Sequence, residues 1–146
     1  MSYPILVALH LFAALIFVGA VFFEVLILEG ARKYVDPKAM SAVQRAIGQR
    51  ARRLMPWVML ALYGAGIGLA WQYRAALAHP FSNAFSAMLS IKIVLALSVL
   101  GHFLRAITWA IGGKMTARRF HAIHISVFCH VILIVLLAKS MFHVSW

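Results

Sequence analysis

Residues 4–28 read PILVALHLFAALIFVGAVFFEVLIL, an apolar run with one histidine, His10, near its start and one carboxylate, Glu24, near its end. About 25 residues at a helical rise of about 1.5 Å each exceed the thickness of a bilayer's hydrocarbon core. The stretch therefore reads as a membrane-spanning helix. An imidazole inside such a helix is costly to bury without a partner, which makes His10 the first residue to which a function is to be attached.

Working outward from this run, composition agrees with it. Hydrophobic residues make up 64% of the chain and charged ones only 12%, against about a quarter in a soluble domain. Mean hydropathy is +0.93. The chain reads as an all-α integral membrane four-helix bundle, a single transmembrane domain over residues 1–146 with no room for a separate soluble domain. No basic region precedes the first run and no small-residue cleavage site follows it, so it reads as a retained span rather than a signal peptide. No internal repeat is read from the chain.

Three further apolar runs have spanning length, at about 55–73, 87–112 and 120–142. The segment 31–53 between the first two carries Arg32, Lys33, Lys38, Arg45, Arg50, Arg52 and Arg53. The turn between the last two, Gly112-Gly113-Lys114, is followed by Arg118 and Arg119, whereas 74–86 holds only Arg74. The positive-inside rule then predicts cytoplasmic basic loops and both termini on the outer, periplasmic side of a bacterial inner membrane, in a multi-pass protein. Asp36-Pro37 predicts a helix start within the first basic loop, followed by Met40, Val43 and Ile47 at helical spacing. That helix would lie on the membrane surface or lead into the second span. Pro56 is a candidate kink.

The net charge of +11, from 14 Lys+Arg against 3 Asp+Glu, would suggest nucleic acid in a soluble protein. Here the basic residues flank apolar spans, so membrane lipids with anionic headgroups are the expected partners and nucleic acid is not. A homo-oligomer is compatible with so small a bundle. Cys129 is the one cysteine, which excludes an internal disulfide and a cysteine-based metal cage, and it reads as a buried, inert thiol. Gly64 and Gly68 form a small-xxx-small pair for close helix packing, or leave room for a flat cofactor.

Depth along the helices sorts the remaining polar residues. His10 lies roughly 9 Å below the outer boundary, and Lys92 in the third span falls at a similar level. His102, His124 and His121 fall in the inner part and His130 near the middle. Along the first span, His10, Ala13, Ala14, Phe17, Val21 and Glu24 share a stripe that must face protein.

Such residues serve four chemistries. Imidazoles can ligate haem b, with Lys92 or Arg119 pairing with its propionates. They can bind copper together with methionine thioethers such as those of Met55, Met59 or Met88. They can relay protons, or simply join helices by hydrogen bonds. The metal or haem ligands proposed on this reading are His10, His102 and His124.

The chain also resembles the HemJ-type protoporphyrinogen oxidases and their CopD-like relatives. The resemblance runs over nearly the whole length. It rests on Leu9-His10 with Gly19 in the first span, and on Arg53-Leu54-Met55 with Gly68 in the second. Lys92-Ile93-Val94-Leu95 with His102 in the third span, and Arg119 with Ala138-Lys139 in the fourth, complete it. It implies haem b at His10, a catalytic role for Lys92, a porphyrin-type substrate and quinone as electron acceptor. The chain departs from the pattern where Phe23-Glu24-Val25 replaces a Pro-Arg pair, and where His121 and His124 follow Arg119 in place of an Asn-Glu pair. The additional histidines favour a second haem or metal between His102 and His124, or a copper-handling member. A non-catalytic subunit of a respiratory complex is the remaining alternative.

Overall fold

The computed structural model describes residues 2–144, and the elements among them are all helical. Four helices are long and apolar enough to cross a membrane. Contacts gather into two compact units, one ending at Gln72 and the other beginning at Tyr73.

In the first unit, α1 (Tyr3–Phe22) starts with Pro4 in its first turn, where the missing amide proton costs nothing. It passes without a break into a π-helical turn, Phe23–Leu28, then α2 (Glu29–Ala31) and a 3-10 turn, Arg32–Tyr34. Of the expected stripe, Ala13, Phe17, Val21 and Glu24 are buried, His10 and Ala14 are half-buried, and Leu28 continues it. The π turn sits where Glu24 joins that stripe, and the extra residue per turn there re-aims the side chains that follow. Beyond the apolar run Arg32 pairs with Glu29 at 3.0 Å.

The next helix, α3 (Pro37–Gln72), is 36 residues long and takes in most of the stretch read as a basic loop. Its start is the predicted one: Asp36 Oδ1 accepts from the Lys38 and Ala39 amides at 2.9 and 3.1 Å. The segment leads straight into the second span and does not end at Pro56, which lies inside the helix. The residues between the cap and Pro56 are mainly Ala, Arg, Gln and Met, good helix formers, and Met40 is buried at 7% exposure. One helix-favouring segment thus carries the chain through a proline that removes a single hydrogen bond.

In the second unit, the short α4 (Arg74–Ala78) leads to α5 (Ala84–Ile111), whose N-cap Asn83 accepts from the Ser86 amide at 2.9 Å. This cap starts α5 earlier than the apolar run at 87. Gly113 closes the turn with φ +64°, a conformation open to glycine at no cost. The last helix, α6 (Ala117–Ser140), begins at Thr116, whose hydroxyl caps the Arg119 amide, and returns antiparallel along α5. Tyr73, Phe85 and Phe142 stack in a row, with centroids 5.4 and 5.8 Å apart.

Candidate functional site

The first polar centre lies in the α1–α3 pair. The His10 Nδ1–H donates to the Leu62 carbonyl on α3 at 2.9 Å. In a helix that carbonyl already accepts from the amide four residues on, Gly66, so the ring takes its second lone pair. The side chain at that fourth residue would normally lie beside the carbonyl. A Cβ at Gly66 would stand 3.3 Å from Cε1 and 3.4 Å from Nδ1 of His10. Gly66 is therefore the opening through which the imidazole reaches the backbone. Gly68 does the same for Leu6, whose methyls lie 3.1 Å from the would-be Cβ. A Cβ at Gly64 would meet nothing within 4 Å, so the close-packing pair is Gly66 and Gly68 rather than Gly64 and Gly68.

Because a carbonyl only accepts, the bond fixes the proton on Nδ1. A neutral His10 then carries its lone pair on Nε2. Imidazoles that ligate metals are held in this same way, with the far ring nitrogen donating to a carbonyl or carboxylate.

The second polar centre lies in the α5–α6 pair and is reciprocal. The His102 Nδ1–H donates to the Ser98 carbonyl one turn back at 2.7 Å, and His130 does the same to Ser126 at 2.7 Å. Across the helices, the Ser126 hydroxyl meets His102 Nε2 at 3.0 Å and the Ser98 hydroxyl meets His130 Nε2 at 3.0 Å. With Nδ1 donating to a carbonyl in each ring, Nε2 is the atom that meets the facing serine hydroxyl. The rings lie 5.4 Å apart between centroids. All four ring nitrogens are thereby satisfied inside an apolar helix pair.

This arrangement changes the expected grouping. The ring beside His102 is that of His130, not of His124. The antiparallel register set by the Gly112-Gly113 turn brings Ser126 opposite His102 and His130 opposite Ser98. His124 precedes His130 by about one and two-thirds helical turns, which puts it on another side of α6. There its Nδ1–H donates to the Phe120 carbonyl at 2.9 Å, and its ring stacks on Phe120 at 4.0 Å. Two sequence features carry this centre and were not read from the chain as a site. One is the pair of serines; the other is the near-repeat Ser98-Val99-Leu100-Gly101-His102 and Ser126-Val127-Phe128-Cys129-His130. Its two valines are both buried, at 3% and 5% exposure. A search for pentapeptides repeated about that turn would have found it.

The other predicted residues take separate places. Lys92 is half-buried on α5. Arg119 is exposed and builds the α5–α6 turn: a guanidinium N–H donates to the Lys114 carbonyl at 2.6 Å. Its guanidinium lies over the Trp109 ring at 4.8 Å, a ring that Arg105 also covers at 4.6 Å. Cys129 is exposed rather than buried, since α6 turns Val127 and Val131 inward and position 129 between them outward. Among the described residues, no three His, Cys, Asp or Glu side chains gather as a metal cage would require. The chain matches no family model, no curated protein and no solved structure.

Proposed function

We propose that this protein is a haem b-binding oxidoreductase of the bacterial inner membrane, with His10 as an axial ligand. The observation that carries this reading is the Nδ1–H bond from His10 to the Leu62 carbonyl. It sets the tautomer of the neutral ring and fixes the ring plane, with Nε2 as the atom that would ligate iron. Haem asks the protein for only one or two axial ligands, which suits the described residues, where no three-residue donor cluster is found, better than a copper cage does. Bound haem would supply a one-electron redox couple.

The activity we assign is HemJ-like oxidation of protoporphyrinogen IX. Each electron pair and its protons removed from the porphyrinogen reduce one quinone to quinol. The hydrophobic porphyrinogen and the quinone both reach the protein from the lipid phase. Lys92 offers an ammonium group to a porphyrinogen carboxylate. His102, with both ring nitrogens hydrogen-bonded to serines, is assigned to holding α5 against α6, and a second haem is not part of the reading. The distribution of basic residues favours both termini on the periplasmic side.

The test is a pyridine haemochrome assay on protein purified from cells with ample haem. A Soret band that is lost in His10→Ala and kept in His124→Ala is the expected result. No Soret band in the unaltered protein would overturn the haem reading. Growth of a strain lacking its protoporphyrinogen oxidase, on expression of this protein but not of Lys92→Ala, is the expected outcome for the enzymatic step. Haem binding without rescue would leave an electron carrier and remove the enzyme.

A further inference from the structure

The α1–α3 pair contains a mismatch between its two apolar stretches. Leu6 lies against Gly68, and His10 against Leu62 and Gly66, so the helices run antiparallel in a defined register. Carried along both helices at about 1.5 Å per residue, this register sets Arg53 near the level of Val21 and Arg50 near that of Glu24. At and just beyond that level α1 is still apolar and exposed: Phe23, Leu26 and Ile27 are 47%, 55% and 60% exposed. Two arginines of one helix thus stand beside residues of the other that belong in contact with lipid.

Both arginines face outward. Arg50 and Arg53 line a shallow groove with Ala46 and Gln49, on a stripe of α3 that continues through Trp57, Leu60 and Ile67. Those three are 71%, 64% and 69% exposed. The stripe therefore reads cation, cation, indole, aliphatic, aliphatic, with the cations at the end nearest the Asp36 cap. Both arginines are exposed, and the ion pair that Glu29 makes, with Arg32, involves neither of them. A guanidinium at the edge of an apolar layer needs an anion that arrives with that layer, and a fork of donors fits a phosphate oxygen pair.

We propose that Arg50 and Arg53 form a binding site for the phosphate headgroup of an anionic phospholipid. The acyl chains lie along Trp57, Leu60 and Ile67. A zwitterionic lipid presents the same phosphate with a compensating ammonium and binds less well. Lys38 and Arg45, farther along α3 toward its cap, lie outside the site. This proposal does not depend on the haem reading.

Native mass spectrometry of the full-length protein, released from nanodiscs of phosphatidylglycerol mixed with phosphatidylcholine, tests it. The expected result is retained phosphatidylglycerol adducts in the unaltered protein. In Arg50→Gln/Arg53→Gln the adducts fall by about ten-fold or more, since each cation contributes about a factor of five. The equally charged control Lys38→Gln/Arg45→Gln keeps them. Equal retention of the two lipids by the unaltered protein would overturn the proposal. So would adducts unchanged in the Arg50/Arg53 variant, or lost equally in the control. Should Arg50→Gln/Arg53→Gln fail to fold, the lipid preference of the unaltered protein and of the single variants decides in the same way.

Discussion

The α1–α3 pair and the α5–α6 pair both place histidine between two apolar helices, yet they satisfy it by opposite means. His10 leaves its own helix and bonds to a backbone carbonyl of α3, through an opening that exists because residue 66 has no side chain. His102 and His130 bond first to their own helices, and then to a hydroxyl of the facing one. The first arrangement runs from a side chain to a backbone: one ring bonds through Nδ1 to the facing helix, which sets the tautomer of its neutral form. The second is closed upon itself, each helix supplying one serine and one histidine. A ring anchored by Nδ1 to a facing backbone carbonyl has the geometry in which metal-ligating imidazoles are held, whereas rings that exchange hydroxyl bonds across two helices hold those helices together.

Steric change at the opening should have the largest effect. Gly66→Leu puts atoms where the His10 ring stands. It is expected to destabilise the protein by about 2–4 kcal/mol, about 1–3 from overpacking and about 1 from the lost hydrogen bond. Thermal denaturation in detergent, with the haem content of the same sample, reads both consequences. A variant as stable as the parent, with its haem retained, would break the contrast.

Removing the hydroxyls should cost less. Ser98→Ala and Ser126→Ala are each expected to cost about 1 kcal/mol, near the upper half of the range for hydrogen bonds between membrane helices. Haem content should not change, because this pair is assigned to helix packing. A double-mutant cycle measures whether the two halves of the ring support each other, and coupling above about 0.5 kcal/mol is expected for a closed network.

The smallest effects belong to positions that resemble these but lack their geometry. Gly68→Ala meets the flexible end of Leu6 rather than an imidazole, so its stability should stay within about 0.5–1 kcal/mol of the parent, helix propensity offsetting the adjustment. His124→Ala removes a ring bonded only within its own helix, and a change of about 0.5 kcal/mol or less is expected, as for sites off a packed interface. A large loss in His124→Ala would move the second polar centre back toward the His102–His124 grouping.

The number of membrane-length helices, the Asp36 cap and most of the buried stripe on α1 were legible in the sequence, because each depends on periodicity or on a neighbour within one turn. The inner histidine grouping was not. Depth along a span gives a level to within a turn or so, but not which side of the helix a ring occupies. Matching levels set His124 beside His102; the rotation of α6 set His130 there instead. The serines escaped notice because a hydroxyl costs little in a membrane helix, where it can bond its own backbone, and so raises no alarm from composition.

By itself, then, the sequence determined an all-helical chain with four membrane-length helices, a protein-facing first stripe and a histidine that must find a partner. Only the tertiary structure decided what those partners are. His10 bonds to a carbonyl that no side-chain pattern reveals, since every residue has one and only the glycine at 66 makes this one reachable. His102 and His130 bond across a register that the turn at Gly113 sets, and a single helix does not contain that register. Hydrogen-bond partners that lie on another helix depend on rotation and offset together, and those two quantities are fixed when the helices pack.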